Sequence, residues 1–445
     1  MAFEALDIIF IIAYFILVFI VGIRAYFKET KEAFLIAGRK LNFFLNSSSI
    51  TSSKFGSGIV LVMTAFAFIY GFQSLFFIVG AVVGVLVFLL FAIKLKKQAD
   101  KEKFYTLADY FKSNYGKSIG YLAAICSLII MIALFLMQTI GGAKVAQDVL
   151  GIPYFLGIII LLVPVTIYIS LGGFKSVVDT DLVQIICMLI IFPILAIFFF
   201  SNLPALANYE FQSLNIGMII GFLLIGIVTP LGSTELWQRV YAAKDIKTLK
   251  KSFYLAAFLF ILIAGIIMLI GIQLRAVLPL YTDQEVILLR GIQMLPSGIF
   301  GIGIIALFAA IMSSADTYLF TNAAILSRDF LPRKLFSVKK MRIIILLLST
   351  VTLVLSLFLK TLTESMFFVA AYASIIASVI CFSFIKGNKK GLKFGLILGL
   401  VGTTIFAFFG IDQFLIIKAI VLTLIGYLVG GIYDTLLRKK GSKKL

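Results

Sequence analysis

Long apolar runs separated by short polar and basic stretches dominate the chain, and a bilayer-spanning helix needs about twenty such residues. On that rule the pattern predicts helices near 5–27, 45–71, 73–95, 118–148, 153–171, 177–201, 214–238, 251–276, 298–327, 341–360, 364–386, 391–410 and 412–436. Gly, Pro and charge clusters punctuate most gaps. The first run carries Glu4 and Asp7 at its start and continues past twenty residues without a small-residue cleavage site, so it reads as a spanning helix and not a signal peptide. The expected fold class is an all-α polytopic membrane protein with about 13 transmembrane helices in a single domain over 1–445.

Basic residues fix an expected orientation. With the N-terminus outside, the inner segments are 24–44, 94–118, 172–176, 239–251, 328–342, 386–393 and the tail 438–444, which hold 33 of the 39 Lys and Arg residues. Shifting the helix count by one would destroy this alternation, so the C-terminus is expected in the cytoplasm of a cell bounded by this membrane. The tail RKKGSKKL reads as a topological anchor, with an anionic-lipid site as the alternative.

Composition agrees. Apolar residues make up 62% and charged residues 13% of the sequence, and mean hydropathy is +1.14; a water-soluble fold could not hide so much apolar surface, so the lipid bilayer is the expected partner. The net charge of +19 lies in short clusters between apolar runs, without a basic domain to hold nucleic acid. There is no histidine, and Cys126, Cys187 and Cys381 lie inside apolar runs, which argues against a zinc site, a disulfide framework and an enzyme of His-based chemistry.

Function is expected where the helices are interrupted, because exposed backbone is tolerated at membrane depth only when it lines a cavity. The second helix opens with Asn46-Ser47-Ser48-Ser49-Ile50-Thr51-Ser52-Ser53-Lys54-Phe55-Gly56-Ser57-Gly58, and the seventh is broken by Thr229-Pro230-Leu231-Gly232-Ser233-Thr234-Glu235. Proline removes a backbone donor, and Gly and Ser let a helix unwind. The breaks are five helices apart, the spacing expected of a carrier built from inverted repeats with its site at the midplane. Close helix packing by small residues is the blander account. A third polar patch, Ala309-Ala310-Ile311-Met312-Ser313-Ser314-Ala315-Asp316-Thr317, offers vicinal hydroxyls that suit a hard cation such as Na⁺; alone, it also reads as packing plus a solvated acid near the inner surface.

The stretch Gly172-Gly173-Phe174-Lys175-Ser176-Val177-Val178-Asp179-Thr180-Asp181-Leu182-Val183-Gln184 resembles a signature of the sodium:solute symporter family. Trp237-Gln238-Arg239-Val240-Tyr241-Ala242-Ala243-Lys244-Asp245 is similar to that family's second signature, and AAIMSSADTYL to its sodium-site helix. The resemblance, over roughly 5–436, implies a LeuT-type fold: an extra helix and loop at 5–40, repeat 1 at 41–201, repeat 2 at 214–386 and two C-terminal helices at 391–436. It implies Na⁺ as coupling ion, with carbonyl ligands at Ser47, Ile50 and Ala310, hydroxyl ligands at Ser313 and Ser314, and Asp181 just inside. A structural pairing of Asp181 with Lys175 or Arg239 is the alternative. The small-molecule substrate is expected between the breaks, near Ser49, Thr51, Ser52, Ser53, Lys54 and Phe55 on one side and Ser233, Thr234 and Glu235 on the other.

Two residues depart from the sugar-carrying branch of the family it resembles: there the position of Lys54 looks like a polar amide that touches substrate, and Asn and Tyr tend to stand around that of Glu235. These departures favour an amino acid or organic anion over a sugar. Lys54 has three readings: a partner for a substrate carboxylate, a bridge to Glu235 or Asp181, or a replacement for the ion that makes the carrier proton-coupled or cation-independent. A channel and a sensor are the remote alternatives to alternating-access symport.

Overall fold

The computed structural model describes residues 4–28, 30–204, 210–280, 282–332, 336–358, 362–385 and 387–442. Seventeen α-helices carry almost all of them. The first six are α1 (Ala5–Arg24), α2 (Lys31–Ile36), α3 (Phe43–Ser52), α4 (Thr64–Tyr70), α5 (Leu75–Glu102) and α6 (Leu107–Tyr115). Next come α7 (Lys117–Lys144), α8 (Tyr154–Asn202), α9 (Ile216–Gly232), α10 (Thr234–Ala242), α11 (Ile246–Leu274) and α12 (Ile287–Gln293). The last are α13 (Ile299–Ile325), α14 (Val338–Phe358), α15 (Leu362–Ile385), α16 (Lys389–Phe409) and α17 (Leu415–Ser442). Among the described residues the one strand-like feature is an isolated bridge between Leu41 and Ala243.

Among the described residues ten helical runs are long and apolar enough to cross a membrane, and α9 with α10, bent by 48°, makes an eleventh. Two of the ten, Gly58–Glu102 and Tyr154–Asn202, have 45 and 49 residues, about twice what one crossing requires. Each turns at a glycine of positive φ, Gly71 at 58° and Gly173 at 60°. At Gly173 the turn is enforced by packing as well as by conformation: a Cβ there would stand 2.5 Å from the Phe34 carbonyl oxygen. The runs predicted at 153–171 and 177–201 therefore lie on either side of a kink at Gly173, whose backbone angles are not helical. Residues 359–360 of the run predicted at 341–360, residue 386 at the end of the second expected repeat, 333–335 of an expected inner segment and 443–445 of the basic tail lie outside the described residues.

Burial ranks the helices by position. In α1 only 22% of the most apolar window is buried, whereas in the run containing α13 the figure is 83%, so α13 is central and α1 faces lipid. Asp7 fastens the two together: its Oδ1 accepts the Gly298 and Gly301 backbone N–H groups at 2.8 Å each, and its Oδ2 accepts the Ser297 hydroxyl. A carboxylate at the start of a helix meets otherwise unpaired donors and the positive end of the helix dipole. Asp245 caps α11 through the Thr248 N–H at 2.7 Å, and that bond holds its carboxyl below the usual range. Around α13 pack α7 and α8, while α3 lies between α8 and α11, and α9 between α5 and α15. The broken segments thus lie inside the bundle, away from lipid.

Candidate functional site

The first break follows α3. Helical geometry ends at Ser52, Ser53 and Lys54 form a turn, and helix resumes at Ser57. The restart is capped from outside the strand of chain: Gln138 of α7 accepts the Ser57 N–H at 2.7 Å, and the Ser57 hydroxyl donates to the Met137 carbonyl. A helix end buried at membrane depth needs such partners. The second break separates α9 from α10 at Ser233, after Pro230 has removed one backbone donor. Here Gly232 lets α15 approach closely, since a Cβ would meet the Ala373 carbonyl oxygen at 2.3 Å.

The two breaks meet through Lys54. Its ammonium donates to Glu235 Oε1 at 2.5 Å and to the Ser233 hydroxyl at 2.8 Å. The Glu235 side chain is fully buried, and that of Lys54 is 11% exposed. Of the partners weighed for Lys54 it is therefore Glu235, and not Asp181, that it meets. Glu235 Oε2 and the Thr234 hydroxyl are buried without a protein partner.

Beside α3 stands the polar turn of α13. Ser313 donates to the Ser52 carbonyl at 2.8 Å and lies 3.1 Å from the Ala310 carbonyl, and Ser314 donates to the Ser53 carbonyl at 3.1 Å. Tyr318, one turn further on, donates to the same Ser53 carbonyl at 3.0 Å. Expected ligands Ala310, Ser313 and Ser314 are thus brought together and set against the end of α3. The carbonyls of Ser47 and Ile50 instead accept the hydroxyls of Thr51 and Ser53 within their own segment. Every contributor is an uncharged oxygen, a donor set suited to a hard monovalent cation.

Asp181 of α8 faces α3 as well. It accepts the hydroxyls of Ser49 at 2.6 Å and Ser52 at 2.8 Å, so these two candidates for substrate contact point to a carboxylate. Arg239, entirely buried in α10, lies 3.5 Å from Asp181. The same guanidinium donates to the Ser49 carbonyl at 3.2 Å, the Glu235 carbonyl at 3.1 Å and the Thr317 hydroxyl at 2.7 Å. One planar cation therefore ties α3, α8, α10 and α13, which a point charge could not do. Lys175, the other partner weighed for Asp181, pairs with Asp179.

A cavity of about 90 Å³ lies between the breaks. Of the expected substrate residues Lys54 and Ser233 line it, with Gln138, Thr229 and Tyr318 from the neighbouring helices and an otherwise apolar wall. Phe55 is buried against Phe260, with ring centroids 5.1 Å apart, and it is Phe260 that reaches the cavity.

Sequence reasoning missed Gln138, placed Thr317 and Tyr318 in the polar stretch of α13 without a role of their own, and gave Arg239 only as a possible partner of Asp181. The signal for Arg239 was its spacing of four from Glu235 in α10, which puts a cation and an acid on one helix face. Asp316 is not a solvated acid: it is fully buried and accepts the hydroxyls of Tyr168 at 2.9 Å and Thr180 at 3.1 Å.

Comparison with known proteins follows the same lines. The model of the sodium:solute symporter family matches residues 34–212. The sodium/pantothenate symporter of Haemophilus influenzae is 26% identical over 463 residues, covering 94% of this chain and 95% of its own. The osmoregulated proline transporter OpuE of Bacillus subtilis is 26% identical, over 71% of this chain and 69% of its own. A Na⁺-coupled sialic acid symporter, solved in a substrate-bound outward-open state, shares the fold with a TM-score of 0.83 at 16% identity, covering 97% and 98% of the two chains.

Proposed function

We propose that this chain is a member of the sodium:solute symporter family, whose model matches residues 34–212, and that it moves a small organic solute inward by sodium-coupled alternating access. It is a multi-pass membrane transporter and not an enzyme. The observation that carries the coupling is the contact of Ser313 and Ser314 with the carbonyls that end α3. Sodium would take neutral oxygens there, hold α13 to α3 and favour the outward-facing form. Its gain in affinity for solute is a coupling free energy and acts equally in reverse.

Counting Gly58–Glu102 and Tyr154–Asn202 as two crossings each, and α9 with α10 as one, gives thirteen spans. With that number and the basic segments, the N-terminus is outside and the C-terminus in the cytoplasm. The breaks after α3 and α9 are then the first helices of two inverted five-helix repeats. The solute would bind in the cavity between them. Pantothenate, proline and sialic acid, the solutes named for the relatives, each bear a carboxylate. Lys54 supports the same preference, for an amino acid or organic anion over a sugar.

Uptake into proteoliposomes from a panel of labelled amino acids, organic acids and sugars tests this reading. Accumulation driven by an inward sodium gradient is expected. Uptake that follows a proton gradient, or ignores both cations, would replace sodium coupling with the reading in which Lys54 stands in for the ion.

A further inference from the structure

The wall of the cavity has an uneven hydrogen-bond inventory. A lysine ammonium has three donors, and Lys54 spends one on Glu235 and one on Ser233. The third is left on the exposed part of a side chain that lines the cavity. Gln138 donates once from Nε2 to the Leu134 carbonyl and so keeps its second amide hydrogen. The hydroxyl hydrogens of Ser233, Thr229 and Tyr318 are already given to the carbonyls of Thr229, Ile225 and Ser53. No carboxylate is among the lining residues, because Glu235 stands behind Lys54. The remainder is apolar: Phe77, Val85, Leu134, Ile225, Phe260 and Met366.

Resting on the transport reading above, we infer that the solute is an apolar-bodied monocarboxylate, its carboxylate held by Lys54 and Gln138 and its hydrocarbon body by the α5, α9, α11 and α15 wall. A zwitterion of the same shape would bring an ammonium into apolar surroundings without an anion to meet it, and an uncompensated charge there is expensive. A sugar would leave most of its hydroxyls unpaired. The expected sodium groups adjoin the cavity, since Tyr318 lines it and shares the Ser53 carbonyl with Ser314. Sodium at Ser313 and Ser314 and a carboxylate at Lys54 enter as a neutral pair on neighbouring groups, and opposite charges attract strongly where water is excluded.

Thermal stabilisation of the purified full chain, in sodium chloride and in choline chloride, separates the alternatives with three probes of one carbon skeleton. 4-Methylpentanoate presents the carboxylate alone, leucine adds the ammonium, and 4-methylpentanamide removes the charge. The carboxylate is expected to bind at least about tenfold tighter than either analogue, and only with sodium present. Straight-chain carboxylates from propanoate to octanoate then give the best length. In the double variant Lys54→Gln/Glu235→Gln, checked for monodisperse elution, the preference for the carboxylate over its amide should vanish. Equal or tighter binding of leucine or the amide, a preference that survives in the double variant, or no response to any carboxylate while sodium itself stabilises the protein, overturns the inference. Absence of stabilisation by sodium would count against the symporter reading instead.

Discussion

Lys54 and Glu235 lie 181 residues apart in sequence and 2.5 Å apart in space, and their pairing closes the gap between the two broken helices. Removing one member leaves the other charged in a buried position, which costs about 3–5 kcal/mol, whereas replacing both by neutral groups is close to neutral. Lys54→Gln should therefore melt well below the parent protein, and Lys54→Gln/Glu235→Gln should recover most of the loss. If the single variant melts with the parent, the pair does not join the breaks.

Arg239 is the second tie, with four partners on four helices. Lysine keeps the charge but cannot present a planar fork, so Arg239→Lys should lose at least about 2 kcal/mol through unpaired buried acceptors. A melting temperature within a degree of the parent would show that the guanidinium geometry does not matter.

Gly173 turns α8 at a φ of 60°. Alanine there meets both a left-handed backbone, worth about 1–2 kcal/mol, and a carbonyl oxygen 2.5 Å from its Cβ. Gly173→Ala should reduce the folded yield sharply. Gly221→Ala is the control, because beyond the backbone of its own helix no packing neighbour lies within 4 Å of its Cβ; its yield should match the parent, and equal yields for both variants would contradict the packing.

Asp7 joins the start of α1 to the start of α13 through three hydrogen bonds. Asp7→Ala should destabilise the protein by roughly 1–3 kcal/mol through the lost cap and staple, read as a lower melting temperature. Hydrogen exchange should then rise first at Ser297–Gly301, and unchanged protection there would remove α1 from any role in fixing α13.

Much of this was legible in the order of residue types. Lipid demands long apolar runs, so Pro230, Gly232 and the serines before Lys54 stood out against them, and Ser313 and Ser314 did the same in α13. Partners were not legible. Whether Lys54 met Glu235 or Asp181 depended on which side of the turn at Ser53 its side chain left, and composition is silent on that. The carbonyls facing Ser313 and Ser314, Ser52 and Ser53 in place of Ser47 and Ile50, are set by where α3 stops. That stop depends on Gln138 capping the restart from a helix eighty residues on. Gly173 is a similar case: its non-helical φ of 60° kinks α8 between the runs expected at 153–171 and 177–201, and the partner that fixes the kink, Phe34, is distant in sequence.

Sodium binding itself is the most direct test of the account. Equilibrium binding of ²²Na⁺ to the purified protein, without solute, should be saturable and should weaken at least about tenfold in Ser313→Ala/Ser314→Ala, which removes both hydroxyls at the end of α3. Undiminished binding in that variant would mean that the ion is held elsewhere and that the contact between α3 and α13 is packing alone.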